Sequence, residues 1–161
     1  MIGNMIMFDH GNVRFQLRAV GVAINDNKVL IHRAEKDDFW ALPGGRIELL
    51  ESSKITLIRE MMEELRTEVE VERLLWAAEN FFEYEGKAFH EIGYYYLLKL
   101  PDYCPLYSNH EEFYGDEQGT KLIFKWHPLN ELKDIVLYPT FLKEKLLGPL
   151  QGMEHIISTE P

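Results

Sequence analysis

Cysteine is almost missing from this chain: Cys104 is the single one among 161 residues. No intramolecular disulfide can form, which excludes a disulfide-stapled secreted scaffold and points to a reducing, cytoplasmic compartment. Nothing around Cys104 nominates it as a nucleophile, so it reads as an ordinary loop or core thiol. Basic charge is scarce as well. Lysine and arginine number 17 against 27 aspartates and glutamates, a formal net charge of −10. Such a chain is a poor non-specific binder of nucleic acid or anionic membrane, and a phosphorylated small molecule would need local cations to bind it. No apolar run nears the roughly 20 residues that a membrane-spanning helix needs. The opening MIGNMIMFDHGNVRF has no basic stretch before Asp9 and His10, so neither a signal peptide nor an anchor is expected. Internal repeats and low-complexity tracts are missing too.

What is present suits one folded domain over residues 1–161. The hydrophobic fraction is 46% and the charged fraction 27%, enough for a sizeable core and unlike a disordered chain. Apolar alternation predicts a strand at 15–24 and a second at 29–34, joined by the turn residues NDNK. A polar loop follows at 36–39, then a short strand within 40–48 broken by Pro43 and two glycines. Strands are expected again at 68–82 and 88–100, with Gly86 turning the hairpin between them. Residues 101–120 have the composition of a long loop, of the kind that tends to be functional or mobile in compact domains. A last strand is expected at 121–129 and a closing helix at 138–147, with Pro139 near its first turn. Strands, helix, strands, helix make a mixed α/β sandwich with a mostly antiparallel sheet.

Between these strands the period changes. At about 100° per residue, Leu57, Ile58, Met61, Met62 and Leu65 fall on one half of a helical wheel with Ile55 beside them. Arg59, Glu60, Glu63 and Glu64 fall on the other, and Ser52 or Ser53 can cap the start. Glu60, Glu63 and Glu64 stand at i, i+3 and i+4, roughly 5–6 Å apart at Cβ. Two unit charges 4 Å apart near a surface repel by about 4 kcal/mol before screening. Three carboxylates on one patch therefore call for a counter-charge, and hard oxygen donors suit Mg²⁺ or Mn²⁺. Just upstream, Gly44 and Gly45 allow backbone to approach a metal or phosphate closely. Read alone, REMMEEL also describes a solvated acidic face.

The whole string is more specific. Gly45, Glu51, Arg59, Glu60, Met61, Glu63 and Glu64 fit G-x5-E-x7-R-E-U-x-E-E, where U is an aliphatic residue. This resembles the signature of the Nudix hydrolases. LPGG before the string, the strand pair upstream, FKW in a late strand and the C-terminal helix extend the resemblance over about residues 15–147. The resemblance implies an α/β/α sandwich with a catalytic helix, dependence on Mg²⁺ or Mn²⁺, and hydrolysis of a nucleoside diphosphate linked to another group. It makes Glu60, Glu63 and Glu64 metal ligands, with Glu63 either a further ligand or the base. Arg59 and Glu51 become the residues that orient the catalytic loop and helix, and the Gly44 carbonyl becomes a metal ligand. Arg66 departs from the pattern, which has glycine there to end the helix in a left-handed conformation.

Further candidates are an acidic residue outside the helix (Glu111, Glu112, Asp116 or Glu117) and substrate contacts from Gly44, Gly45, Arg46 and Trp40. Phe39 and Trp40 can stack on a base or belong to the core. Arg33 and Arg46 can neutralise phosphate or stay at the surface. Tyr84, His90, His110 and His127 read as structural. A non-catalytic domain sensing a nucleotide or ADP-ribose is the competing reading, and a plain interaction domain is a third. The expected partner is a nucleotide-type small molecule, with no membrane and no stable nucleic-acid partner; a homodimer is left open.

Overall fold

The computed structural model describes residues 4–108, 111–117 and 119–161. In chain order the strands are β1 (Met7–His10), β2 (Val13–Asn25), β3 (Lys28–Ala34), β4 (Gly44–Arg46), β5 (Glu70–Tyr84), β6 (Lys87–Lys99), β7 (Phe113–Glu117), β8 (Thr120–Pro128) and β9 (Glu154–Thr159). Helix α1 (Ser53–Leu65) follows β4, and the single turn α2 (Leu142–Lys145) precedes β9. Their order in space is β7-β8-β3-β2-β6-β5-β9, with β1 and β4 also paired to β2. Among the described strand pairs only β2–β6 and β5–β9 are parallel, so the sheet is mixed and mostly antiparallel.

The β2–β3 turn places Asp26 and Asn27 at φ 53° and 59°, the geometry of a tight hairpin. Two residue pairs later the strands part. β3 then runs along β8, and β4 takes a place on β2 opposite Arg18 to Val20. This split makes the cleft in which α1 lies. At the β5–β6 hairpin Gly86 takes positive φ, as the EYEGK turn predicts, and Glu85 does so as well.

Two apolar cores cover the two faces of the sheet. One contains Ala19, Leu57, Met61, Leu98 and Phe124, and the other Val20, Val22, Trp40, Trp76, Tyr95 and Leu142. Leu57 and Met61 are fully buried and each contributes roughly 1.5–3 kcal/mol of transfer free energy.

Helix α1 begins at the expected place. The Ser52 hydroxyl accepts from the Ile55 N–H at 3.2 Å. It ends with Arg66 at φ 54°, ψ 37°, where the Arg66 and Thr67 N–H groups donate to Met62 and Met61 carbonyls. Arginine thus performs a cap that glycine performs without strain.

The helix is turned relative to the expected wheel. Its buried residues are Thr56, Leu57, Glu60, Met61 and Glu64, whereas Ile55, Ile58 and Met62 are 53%, 39% and 39% exposed. Contacts with β4 and β7 explain the rotation. A Cβ at Gly45 would stand 2.3 Å from Glu60 Cδ, and one at Gly115 would stand 2.8 Å from the Glu64 carbonyl oxygen. Glycine on each strand lets the carboxylate side of the helix turn inward.

Three other expectations change. Residues 101–120 are not one loop: they hold a 3-10 turn at Pro105–Ser108 and β7, which pairs with β8 while Phe113 stacks on Phe124 at 5.8 Å. The closing helix shrinks to α2 because residues 136–138 are spent in extended contact with Trp40, whose N–H donates to the Val136 carbonyl and whose carbonyl accepts from Tyr138 N–H. The tail beyond Gly148 forms β9, so β8 is not the last strand. Among the described residues no helix is long and apolar enough to cross a membrane.

Candidate active site

Glu60 and Glu64 stand one helical turn apart on the inward face of α1, and β7 brings Glu117 to them. One carboxylate oxygen from each residue lies within 4.8 Å of the other two. Glu60 is 7% and Glu64 4% exposed, while Glu117 is open to solvent. Burial pushes Glu60 up to about 7, against the pull of Arg59. Burial, reinforced by Glu60 and Glu117, pushes Glu64 up to about 9. Both Glu64 oxygens are out of water and find no hydrogen-bond partner among the described residues. A buried carboxylate without a partner is costly, and a divalent cation would relieve it. Three convergent hard oxygens, the one from Glu64 orphaned, fit Mg²⁺ or Mn²⁺.

A second carboxylate–guanidinium assembly holds this helix to the loop before it. Arg59 donates from Nε to Glu51 Oε2 at 2.8 Å and from Nη2 to Glu51 Oε1 at 2.9 Å, a two-pronged pair. Its Nη1 reaches Glu60 Oε1 at 2.9 Å and its Nη2 the Arg46 carbonyl at 3.3 Å. Glu51 also accepts from Thr56 Oγ1 at 2.7 Å and from the Glu48 N–H at 3.2 Å. Above all the Arg59 hydrogen bonds hold the Glu51 carboxyl down at about 2. Arg59 thereby fixes Glu60 Oε1.

Glu63 lies outside the three-carboxylate group. Its side chain is 58% exposed, with Oε2 3.4 Å from Arg59 Nη1. Gly44 faces Val20 in the β2–β4 ladder. Gly45 lies against Glu60. The Arg46 side chain donates to Gln16 Oε1 at 2.9 Å. Trp40 is buried in the core, with Lys125 Nζ 4.5 Å and Arg33 Cζ 5.2 Å from its ring centroid. Tyr84 donates to Asp37, and Phe39 meets the Tyr84 ring edge-on. Of the four acidic candidates in 111–117, Glu117 joins the helix carboxylates, Glu111 and Glu112 stay exposed, and Asp116 belongs to β7. His90 packs between Phe15 and Phe81, and His127 Nε2 lies 2.9 Å from the Glu131 carbonyl. His110 lies outside the described residues.

Two further residues escaped the sequence reading. Arg18 lies within β2, opposite Arg46 and Gly93. Burial opposes its charge, but Glu91, Tyr95, Glu117 and Glu64 together hold its pKa above the ordinary arginine value. A lone cation inside the apolar run 15–24 was the available signal. His32 is 8% exposed, and burial together with Arg18 pushes it down to about 3, so it is neutral at physiological pH.

A family model described as NUDIX domain matches residues 15–144. No curated protein matches the chain. Among solved structures, a UDP-X diphosphatase aligns with a TM-score of 0.61 and 21% identity over 88% of this chain and 66% of its own. A MutT NUDIX hydrolase from Burkholderia pseudomallei gives 0.56 and 19% over 83% of this chain and 98% of its own. An ADP-ribose pyrophosphatase from Streptococcus suis 89-1591 gives 0.54 and 16% over 89% and 98%. At these identities the likeness is one of fold.

Proposed function

We propose that this chain, which belongs to the Nudix family, is a Mg²⁺- or Mn²⁺-dependent pyrophosphohydrolase acting on a nucleoside diphosphate linked to another group. The observation that carries this reading is the convergence of Glu60, Glu64 and Glu117 within 4.8 Å, with both Glu64 oxygens unpartnered among the described residues. These three carboxylates would hold the ion, with the Gly44 carbonyl as a further ligand. When bound, a divalent ion supplies charge neutralisation at the diphosphate and acidifies water.

The remaining work belongs to the chain. Glu63, exposed and one residue from Glu64, accepts the proton of the attacking water at a carboxylate oxygen. The water oxygen bonds to phosphorus as the bridging P–O bond breaks, and the leaving phosphate carries away the bonding pair. Arg18 and Arg46 face the charge that spreads over the phosphate oxygens, and positioning with electrostatic stabilisation accounts for most of the rate in such transfers. Arg59 and Glu51 hold the 46–51 loop, Glu60 and the start of α1 in register without touching substrate. A reducing, cytoplasmic compartment is part of this reading, supported by one buried thiol, Cys104.

The test is a panel of nucleoside triphosphates, nucleotide sugars, ADP-ribose, dinucleoside polyphosphates and capped RNA with Mg²⁺ and with Mn²⁺, scored by the mass of the products. Phosphoanhydride cleavage that falls at least a hundredfold in Glu64→Gln is the expected result. Full turnover in that variant, or none in the wild type with either ion, overturns the reading.

A further inference from the structure

The sheet is wider than the helix that packs on it. Under α1 the face is covered: Ala19 of β2, with Tyr96 and Leu98 of β6, is buried in one cluster with Leu57 and Met61. Two rows toward the other end of these strands are not covered. In the first, Leu17 stands opposite Ile92, Ile92 opposite Glu79, and Glu79 opposite Ile157, running from β2 across β6 and β5 to β9. In the next, Phe8, Phe15, His90, Phe81 and Thr159 follow one another from β1 to β9. None of these nine residues is buried, and Phe8 and Ile157 are 61% and 68% exposed. The positions between the two rows, Gln16, Glu91, Asn80 and Ser158, point to the opposite face and are buried.

A sheet face left to water carries polar side chains in alternation with the buried ones. Here six of the nine outward residues are Phe, Leu or Ile, so the face lacks the covering layer that an apolar sheet surface needs. Its aromatic rings form a continuous ladder: Phe8 stacks on Phe15 at 5.3 Å, Phe15 meets His90 edge-on at 5.5 Å, and His90 lies 4.6 Å from Phe81. Charge narrows the occupant. The one carboxylate among the nine, Glu79, is paired with His155 at 2.6 Å, and Asp9 at the rim is paired with Arg14 and Lys87. Nothing there selects a strongly acidic or strongly basic partner, and a net charge of −10 disfavours an anionic membrane. Two copies of one apolar, charge-paired face suit each other across a two-fold axis. Five strands and the rows from Val13 to Ala19 span about 19 by 20 Å. That footprint of about 400 Å², before side-chain relief, is at the low end of specific interfaces.

We propose that this face is a homodimer interface: a second copy of the chain packs its own Phe8–Thr159 and Leu17–Ile157 rows onto these, sheet face to sheet face. The small footprint makes the dimer reversible, with a dissociation constant in the micromolar range. Phe8 on β1 and Ile157 on β9 lie at opposite margins of the face, and the partner covers both. That separates this packing from edge-to-edge pairing of two β9 strands, in which Phe8 would stay in water. The inference is independent of the reaction at the carboxylate cluster.

The measurement is sedimentation velocity of the full chain from about 1 to about 200 µM. The wild type is expected to pass from the mass of one chain to that of two. Phe8→Lys and Ile157→Lys, each checked for cooperative unfolding, are each expected to raise the dissociation constant at least tenfold. Leu147→Lys, at a residue 63% exposed beyond α2, should leave it within threefold. A wild type that stays monomeric at the highest concentration overturns the proposal and leaves the face to a partner of another kind. Assemblies that keep growing with concentration overturn it too, as does a dimer that all three substitutions weaken alike or that neither face substitution weakens. If Ile157→Lys acts and Phe8→Lys does not, the contact is the β9 edge and the proposal is equally lost; the converse result also overturns it. Val13→Lys and Thr159→Lys, at exposed positions on the same two sides of the face, stand in for a variant that does not fold.

Discussion

Gly45 and Glu60 compete for the same space: a Cβ at Gly45 would lie 2.3 Å from Glu60 Cδ and 2.5 Å from Oε1. The atoms in the way are the end of a side chain, which can swing aside. Gly45→Ala should therefore fold, at a stability cost of about 1 kcal/mol, while dislodging Glu60 from Glu64 and Glu117. Calorimetry is expected to show Mn²⁺ affinity reduced at least tenfold, with turnover reduced in parallel. Gly44→Ala differs in kind. Its Cβ would stand 2.2 Å from the Ala19 carbonyl oxygen, which is backbone in the β2–β4 ladder, so the loss should appear as a lowered melting temperature whether or not metal is present.

Stability without metal should fall as pH rises. The Glu64 carboxyl is pushed by burial from 4.5 in a free chain to about 9 in the fold. Below about 4.5 both states carry the proton and nothing is lost. Between 4.5 and 9 the folded chain keeps a proton that the unfolded chain has released, so the slope of stability with pH is negative. Glu60, raised by burial to about 7, adds to it over 4.5 to 7. Denaturant titrations of chelator-treated protein at pH 5, 7 and 9 should show this decline. Glu64→Gln should flatten it, and saturating Mn²⁺ should offset it by stabilising the folded state that binds it.

Arg59 is harder to replace than its half-exposed position suggests. Lysine cannot reproduce the two-pronged contact with Glu51 while also holding Glu60 Oε1 and the Arg46 carbonyl. Arg59→Lys is expected to destabilise by roughly 2 kcal/mol. It should also change the acid limb. Glu51, held at about 2 chiefly by Arg59, contributes stability that is present above 4.5 and lost as pH falls toward 2. The variant should lose less on acidification from pH 5 to pH 2.5 than the wild type, as read by chemical denaturation at each pH.

The elements that sequence patterns revealed are those set by local chemistry: the Ser52 cap, the Glu85–Gly86 hairpin, the strands around 15–34 and 70–99, and the spacing from Gly45 to Glu64. Tertiary choices stayed hidden. Glu117 was one of four acidic residues in a stretch of loop-like composition, and only the pairing of β7 with β8 carries it to the helix. Arg18 and Glu91 look like isolated charges along two strands until parallel pairing aligns those strands. β9 buries little beyond Ser158 and pairs along one edge, so its sequence carries no strong alternation. The rotation of α1 depends on Gly45 and Gly115, residues on other strands that no helical wheel contains.

Arg66 offers a direct measure of what the departure from the motif costs. A left-handed residue other than glycine is strained by roughly 1–2 kcal/mol, partly offset because glycine is freer in the unfolded chain. Arg66→Gly should raise stability by about 0.5–1 kcal/mol without altering metal affinity, since the cap lies beyond Glu64 and its backbone N–H groups go to the Met61 and Met62 carbonyls. Thermal unfolding, with and without Mn²⁺, reads both quantities.

The orientation of α1 can be settled by two opposed sets of substitutions. If the apolar half of the helical wheel faced the core, Ile58 and Met62 would behave like core residues. In the structure they are each 39% exposed, while Leu57 and Met61 are fully buried. Leu57→Ala and Met61→Ala should therefore cost about 2–5 kcal/mol, including the cavity each leaves. Ile58→Lys and Met62→Lys should stay near 0.5 kcal/mol, because a long basic chain can keep its stem along the helix and its head in water. Chemical denaturation of the four variants gives the comparison. Comparable losses in both pairs would mean that the wheel's apolar half is the one packed inward. Glu60 and Glu64 would then be turned to solvent, and the three-carboxylate site could not assemble.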